Sequence, residues 1–129
     1  MTEPRWLSTL QILAIHSDQI QAHGGSLGLR DRGLLESALD RPRNRFRYDP
    51  EADPPALAAA YGFGLSGNHP FVDGNKRVAF QAMYLFLGLN GFRVDASEEE
   101  VITIILSLAS GELDEPALAD WLRHHISPR

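Results

Sequence analysis

Apolar positions recur at helical spacing along most of this chain. Trp6, Leu7, Leu10, Leu13, Ala14 and Ile20, with Ile12 and Ile15 beside them, trace one face of a helix over roughly residues 6–23. Gly24-Gly25 supplies its stop. Asp31 stands as N-cap to a second helix over roughly 32–40, with Leu34, Leu35, Ala38 and Leu39 on its apolar face. Pro42 is expected to end it, because proline lacks an N–H and crowds the preceding turn. Residues 41–55, RPRNRFR followed by YDPEADPP, read as a loop rich in arginine and proline. Pro55 opens a third helix through Ala56, Leu57 and the following alanines to about Ser66. Gly62 and Gly64 weaken that helix by ~1 kcal/mol each relative to alanine, and their small size suits close packing against a neighbour.

Gly67-Asn68-His69-Pro70 interrupts the pattern, and a loop runs to Gly74. From Asn75 or Lys76 the segment VAFQAMYLFLGL continues to a stop at Asn90-Gly91. It is apolar on most sides, which predicts the buried central helix of the domain. Phe92-Arg93-Val94 suits a short extended piece. Ser97 with Glu100 forms a capping box that opens a helix through VITIILSLA, in spite of its β-branched run. A last helix starts near Asp114-Glu115-Pro116 and ends around His125. Every long element reads as helix, so residues 1–129 are expected to form a single compact all-α bundle of about six helices.

Composition narrows the chemistry. There is no cysteine, which excludes disulfides, thiol nucleophiles and thiolate metal sites. The formal net charge is -5, so no whole-protein basic footprint for nucleic acid exists and no direct nucleic-acid partner is expected. No apolar run approaches the ~20 residues of a membrane span, and Glu3 with Ser8, Thr9 and Gln11 argues against a secretory signal; a cytoplasmic protein is expected. Of the 12 basic residues 11 are arginine, and the single lysine is Lys76. Arg41, Arg43, Arg45 and Arg47 form a basic cluster that would suit an acidic partner surface or a plain solvated loop. His16 reads as a partly buried helix histidine, and His124-His125 as a solvated tail.

One segment carries chemistry: His69-Pro70-Phe71-Val72-Asp73-Gly74-Asn75-Lys76-Arg77. It leads into the apolar helix, and a helix N-terminus presents unpaired N–H groups to an anion. Gly74 allows a phosphate close to the backbone, and Asn75 can donate from its amide. Lys76 and Arg77 add full charges suited to phosphate oxygens. Asp73 is the natural ligand for Mg²⁺ on a polyphosphate. His69 is the one nearby group with an ordinary pKa near neutrality, hence the candidate general base. Together these parts describe phosphoryl or nucleotidyl transfer to a hydroxyl. Neither a Walker loop nor a calcium loop is present.

The nine residues match the signature of the Fic/Doc superfamily, H-x-F-x-[DE]-[GA]-N-[GK]-R, and the N-K-R form resembles the Doc (death-on-curing) toxin branch. Ile15 to Ile20, Gly24-Gly25, Gly28 to Asp31, Gly33 to Leu39, Arg41-Pro42, Leu85 to Leu87 and Asn90 to Phe92 also look like Doc sequence, so the resemblance covers roughly 9–126. It implies a kinase using ATP and Mg²⁺, with a threonine of elongation factor Tu as the type member's target. His69 would act as base and Asp73 would hold the metal. Gly74, Asn75, Lys76 and Arg77 would form the phosphate nest, and Phe71 a core anchor. AMP-transferring relatives usually carry a second arginine where Phe80 stands, which disfavours AMP transfer here. Some relatives carry an inhibitory [ST]-x-x-x-E-[GN] helix. No Ser or Thr is followed four residues later by Glu in this sequence, so the inhibitor is expected to be a separate, Phd-like antitoxin chain. Two alternatives stay open: a nucleotidyl (AMP) or related phosphate-group transferase acting on another protein, and an inactive module working with an antitoxin in a DNA-linked complex.

Overall fold

The computed structural model describes residues 3–129. Six helices account for most of the chain: α1 (Thr9–His23), α2 (Arg32–Tyr48), α3 (Pro54–Asn68), α4 (Asn75–Leu89), α5 (Glu98–Ala109) and α6 (Glu115–Arg123). Two short strands, β1 (Phe92–Val94) and β2 (Ile126–Pro128), pair antiparallel, with Arg93 opposite Ser127. The all-α expectation holds, and no described helix is long and apolar enough to cross a membrane.

Caps set most of the boundaries. Ser8 and Gln11 form a capping box, so α1 begins at Thr9 rather than at Trp6. Trp6 and Leu7 instead lie in an extended lead-in, tied down by Leu7 N–H donating to the Tyr61 hydroxyl (2.9 Å) and by the Asn90 amide bridging Arg5 N and O. Burial pushes the Tyr61 phenol above its ordinary pKa. Asp31, Asp53, Ser97 and Asp114 each accept a backbone N–H at a helix start.

Pro42 does not end α2, which runs six residues beyond it to Tyr48. The apolar stripe explains this. Leu35, Ala38, Leu39 and Pro42 are buried, and Phe46 packs against the core beyond them, so burial outweighs the lost hydrogen bond. The arginine cluster therefore lies on a helix. Arg41 pairs with Glu115 of α6 at 2.6 Å, Arg45 reaches the same carboxylate at 3.7 Å, and Arg43 stands over Trp6. These contacts fasten α2 to α6 and to the N-terminal segment. Of the four, only Arg47 stays with its own helix, on Asn44.

α4 is buried along most of its length, as expected, and α3 is buried more completely still. Alanine and glycine make α3 thin enough for α2, α4 and α6 to close around it. A Cβ at Gly62 would overlap Met83 of α4, and one at Gly64 would stand 3.3 Å from the Ala38 Cα of α2. Arg123 bonds Asp53 at 2.7 and 2.9 Å, tying α6 to the start of α3, and this bond holds the Asp53 carboxyl below its ordinary pKa. The core between α3 and α4 thus fixes the two helix ends that flank residues 69–74.

α6 stops at Arg123, and of the two histidines after it His125 is not part of a solvated tail. His125 stacks on Trp121, its Nδ1 donates to the Trp121 carbonyl, and its Nε2 lies 2.7 Å from Glu100. His124 is the exposed one.

Candidate active site

α3 ends where His69 adopts a left-handed backbone (φ 53°, ψ 53°), the one non-glycine residue with positive φ among the described residues. Such a residue costs about 1–2 kcal/mol and persists only when its surroundings hold it. Arg30 does so: Nε donates to the His69 carbonyl (2.8 Å) and Nη2 to the Asn68 carbonyl (3.0 Å). Its own N–H and that of Asp31 donate to the Pro70 carbonyl. The loop between α1 and α2 therefore lies along the motif, with a bridge between Leu29 and Phe71 and a bond from Val72 N–H to the Gly28 carbonyl.

Phe71 faces inward as a core anchor, 1% exposed. Asn75 is buried at 3% exposure, and its side chain is fully engaged. Oδ1 accepts from Phe71 N–H, while Nδ2 donates to the Phe71 carbonyl and lies 3.0 Å from His69 Nδ1. In the folded loop both hydrogens of this amide are engaged, so donation to phosphate needs one of these contacts to open. An amide NH₂ only donates, so His69 Nδ1 is assigned as acceptor, and a neutral ring then keeps its proton on Nε2.

Gly74, at φ 80°, turns the chain into α4, and no side chain caps the helix. The backbone N–H groups of Asn75, Lys76 and Arg77 thus form the first turn of a helix N-terminus open to an anion. Lys76 and Arg77 are exposed beside it and make no ion pair among the described residues. Asp73 Oδ1 accepts from Gly74 N–H (2.9 Å), and Oδ2 from Ser26 N–H (3.3 Å). Each oxygen keeps a lone pair. No trio of His, Cys, Asp or Glu among the described residues forms a self-sufficient metal cage. One carboxylate beside an anion nest fits Mg²⁺, which takes one or two carboxylates and fills its shell with phosphate oxygens and water.

These residues line a cleft of about 560 Å³, whose other wall is Ile102, Ile105 and Leu106 of α5. The structure brings together His69, Asp73, Gly74, Asn75, Lys76 and Arg77, all the residues singled out by their order in the chain. It adds Arg30, the α5 wall and His16, which the sequence did not assign to the site. His16 had one signal: it interrupts the apolar stripe Ile12–His16–Ile20, all three of which are buried. Phe80, 3% exposed, sits edge-on to Tyr84, so the position of the missing arginine is an apolar one. It borders a larger groove of about 1000 Å³ between α1, α4 and α5, which shares Arg77, Ile102 and Ile105 with the cleft.

A helical domain here gathers a base candidate, a carboxylate and an uncapped, cation-flanked helix N-terminus in one cleft. The Fic/DOC family model matches residues 6–87, and the chain belongs to that family. It is 33% identical to protein kinase doc of Escherichia phage P1 over 119 residues, 92% of this chain and 94% of that one. It is 43% identical to toxin Doc of Mycolicibacterium smegmatis over 86 residues, 60% of this chain and 65% of that one. These relatives place it on the Doc branch of the family.

Proposed function

We propose that this protein is the toxin of a toxin–antitoxin pair, a kinase that moves the terminal phosphate of ATP to a hydroxyl of a protein of the translation machinery. The convergence of His69, Asp73 and the open N-terminus of α4 in one cleft carries this reading. The names of the two relatives, protein kinase doc and toxin Doc, support it. The first-turn amides of α4, with Lys76 and Arg77, bind and orient the polyphosphate. Asp73 would hold Mg²⁺, which would neutralise phosphate charge when bound. His69 takes the proton of the acceptor hydroxyl at Nε2. That step needs the tautomer opposite to the one its Asn75 contact favours, so seating of substrate releases the contact. Phe80, buried and apolar, disfavours a second phosphate clamp and with it AMP transfer.

A separate antitoxin chain restrains the enzyme in this reading. The apolar groove between α1, α4 and α5 opens beside the cleft, so a partner helix seated there would reach Arg77. The acceptor is a serine or threonine of an elongation factor Tu-like protein, and the reaction runs in the cytoplasm. Incubation with ATP labelled at the γ or the α position, together with cell extract, tests the proposal. Protein labelling from γ alone is expected, and labelling from α alone would replace the kinase with a nucleotidyl transferase.

A further inference from the structure

His16 is a buried titratable group that the chemistry above does not use, and it touches the motif at two points. Its ring lies face to face with Phe71, centroids 3.9 Å apart at 8°. Its Nε2 lies 2.9 Å from the carbonyl oxygen of Asp73, across 57 residues of sequence. A carbonyl only accepts, so Nε2 carries a proton and donates. With 5% exposure, water has little access to compete for that bond.

The carbonyl it holds belongs to the peptide between Asp73 and Gly74. That peptide decides which way the anion nest faces. With the oxygen turned toward α1, the chain takes φ 80° at Gly74 and enters α4 at Asn75, with no side-chain cap on its first turn. Glycine tolerates positive and negative φ about equally, so Gly74 itself does not choose. A flipped peptide would turn a carbonyl dipole toward the phosphate position, where it repels the anion. The Gly74 N–H bond to Asp73 Oδ1 is local to the same loop and moves with it. The donor anchored outside the loop, on α1, is His16. We infer that His16 is a positioning residue that latches the Asp73–Gly74 peptide in its anion-binding orientation, with the stack on Phe71 setting the height of the donor.

Close packing around the latch agrees with this role. A Cβ on Gly25 would stand 2.6 Å from Asp73 Oδ2, and one on Gly74 would meet Ile20 at 3.3 Å and the His16 ring at 3.8 Å. The loop is therefore pressed between α1 and residues 24–26, with the hydrogen bond from His16 at its back.

The inference rests on the phosphate-binding reading above, and the experiment separates the two. His16→Phe keeps the ring and its stack but removes the donor. His16→Gln places an amide N–H at about the reach of Nε2, and His16→Asn places one too short. Binding of ATP and of adenosine is measured by calorimetry on the full chain. His16→Phe is expected to weaken ATP binding about tenfold, as for loss of one hydrogen bond, with adenosine binding unchanged. His16→Gln should return to within about threefold of the wild type. ATP affinity in His16→Phe equal to that of the wild type would overturn the latch. Should His16→Phe fail to fold, the Gln and Asn variants decide: equal ATP affinities in the two would overturn it. A wild type that binds no ATP refutes the nucleotide reading instead. The latch is then read from the amide NMR signals of Gly74 and Asn75 in the free protein. They should shift in His16→Phe and stay in His16→Gln, and unmoved signals in His16→Phe would overturn it.

Discussion

At the scale of single residues, His69 holds a backbone conformation that its Cβ disfavours, and Arg30 and Asn75 keep it there. That conformation turns the chain at the end of α3, and His69 lines the cleft. His69→Ala is expected to slow phosphate transfer ~10²–10⁴-fold, the usual worth of a positioned base, in the labelled-ATP assay. Undiminished transfer would leave His69 a purely structural part. Lys76, the only lysine, is exposed beside the open helix end. A compact ammonium can follow a phosphate that moves, whereas a planar fork needs its own geometry. Lys76→Arg should therefore lose about tenfold or more in kcat/KM despite the preserved charge. The residue types of 69–77 and their order put the candidate groups for the proposed chemistry in view in the sequence. The orientation of Asn75 does not follow from them, because an amide goes to phosphate or to its own loop according to how that loop closes.

At the scale of elements, the informative case is α2. Local rules end it at Pro42, and the structure carries it to Tyr48. The stripe of Leu35, Ala38, Leu39, Pro42 and Phe46 keeps a helical period through the proline, so the longer helix was legible as periodicity and hidden by punctuation. Pro42→Ala gives a signed test. It recovers about 3 kcal/mol of helix cost and loses about two buried methylenes at ~0.8 kcal/mol each. A net gain of about 1 kcal/mol is expected in urea unfolding, and destabilisation would mean that the ring packs better than its carbon count suggests. The small residues of α3 are a second case. Gly62 and Gly64 look like weak points in an isolated helix, yet they admit Met83 and Ala38 at contact distance.

At the scale of the whole molecule, the C-terminal segment closes the bundle. Arg129 N–H donates to the Gly91 carbonyl and its guanidinium to the Gly88 carbonyl, while His125 joins α6 to the start of α5. The hydrogen bond to the Trp121 carbonyl, aided by Glu100, raises the His125 pKa. Its stabilising share is full below its ordinary value of about 6.5 and fades as pH rises through the folded value. Glu100, held low by Ser97 N–H and by His125, loses its share as pH falls through its own folded value. The melting temperature of His125→Gln should thus trail the wild type by more at pH 6 than at pH 8.5, and a constant gap would leave only the stack on Trp121. The groove makes a separate prediction. Leu85 lines it and not the cleft, so Leu85→Glu should keep transfer activity and escape neutralisation by the antitoxin in co-expression; retained neutralisation would place the antitoxin elsewhere. Helical period, caps and the motif 69–77 are local properties of the chain, and for that reason the sequence by itself determined the all-α class, most helix starts and which candidate groups share the loop. Only the tertiary structure decided that α2 runs on past Pro42, that Glu115 takes up Arg41 and Arg45, that Asn75 turns inward, and that His16 and Arg30 support the loop. The contacts of Glu115, His16 and Arg30 join groups 38 to 74 residues apart in the chain, and α2 and Asn75 are set by burial, so no local pattern encodes them.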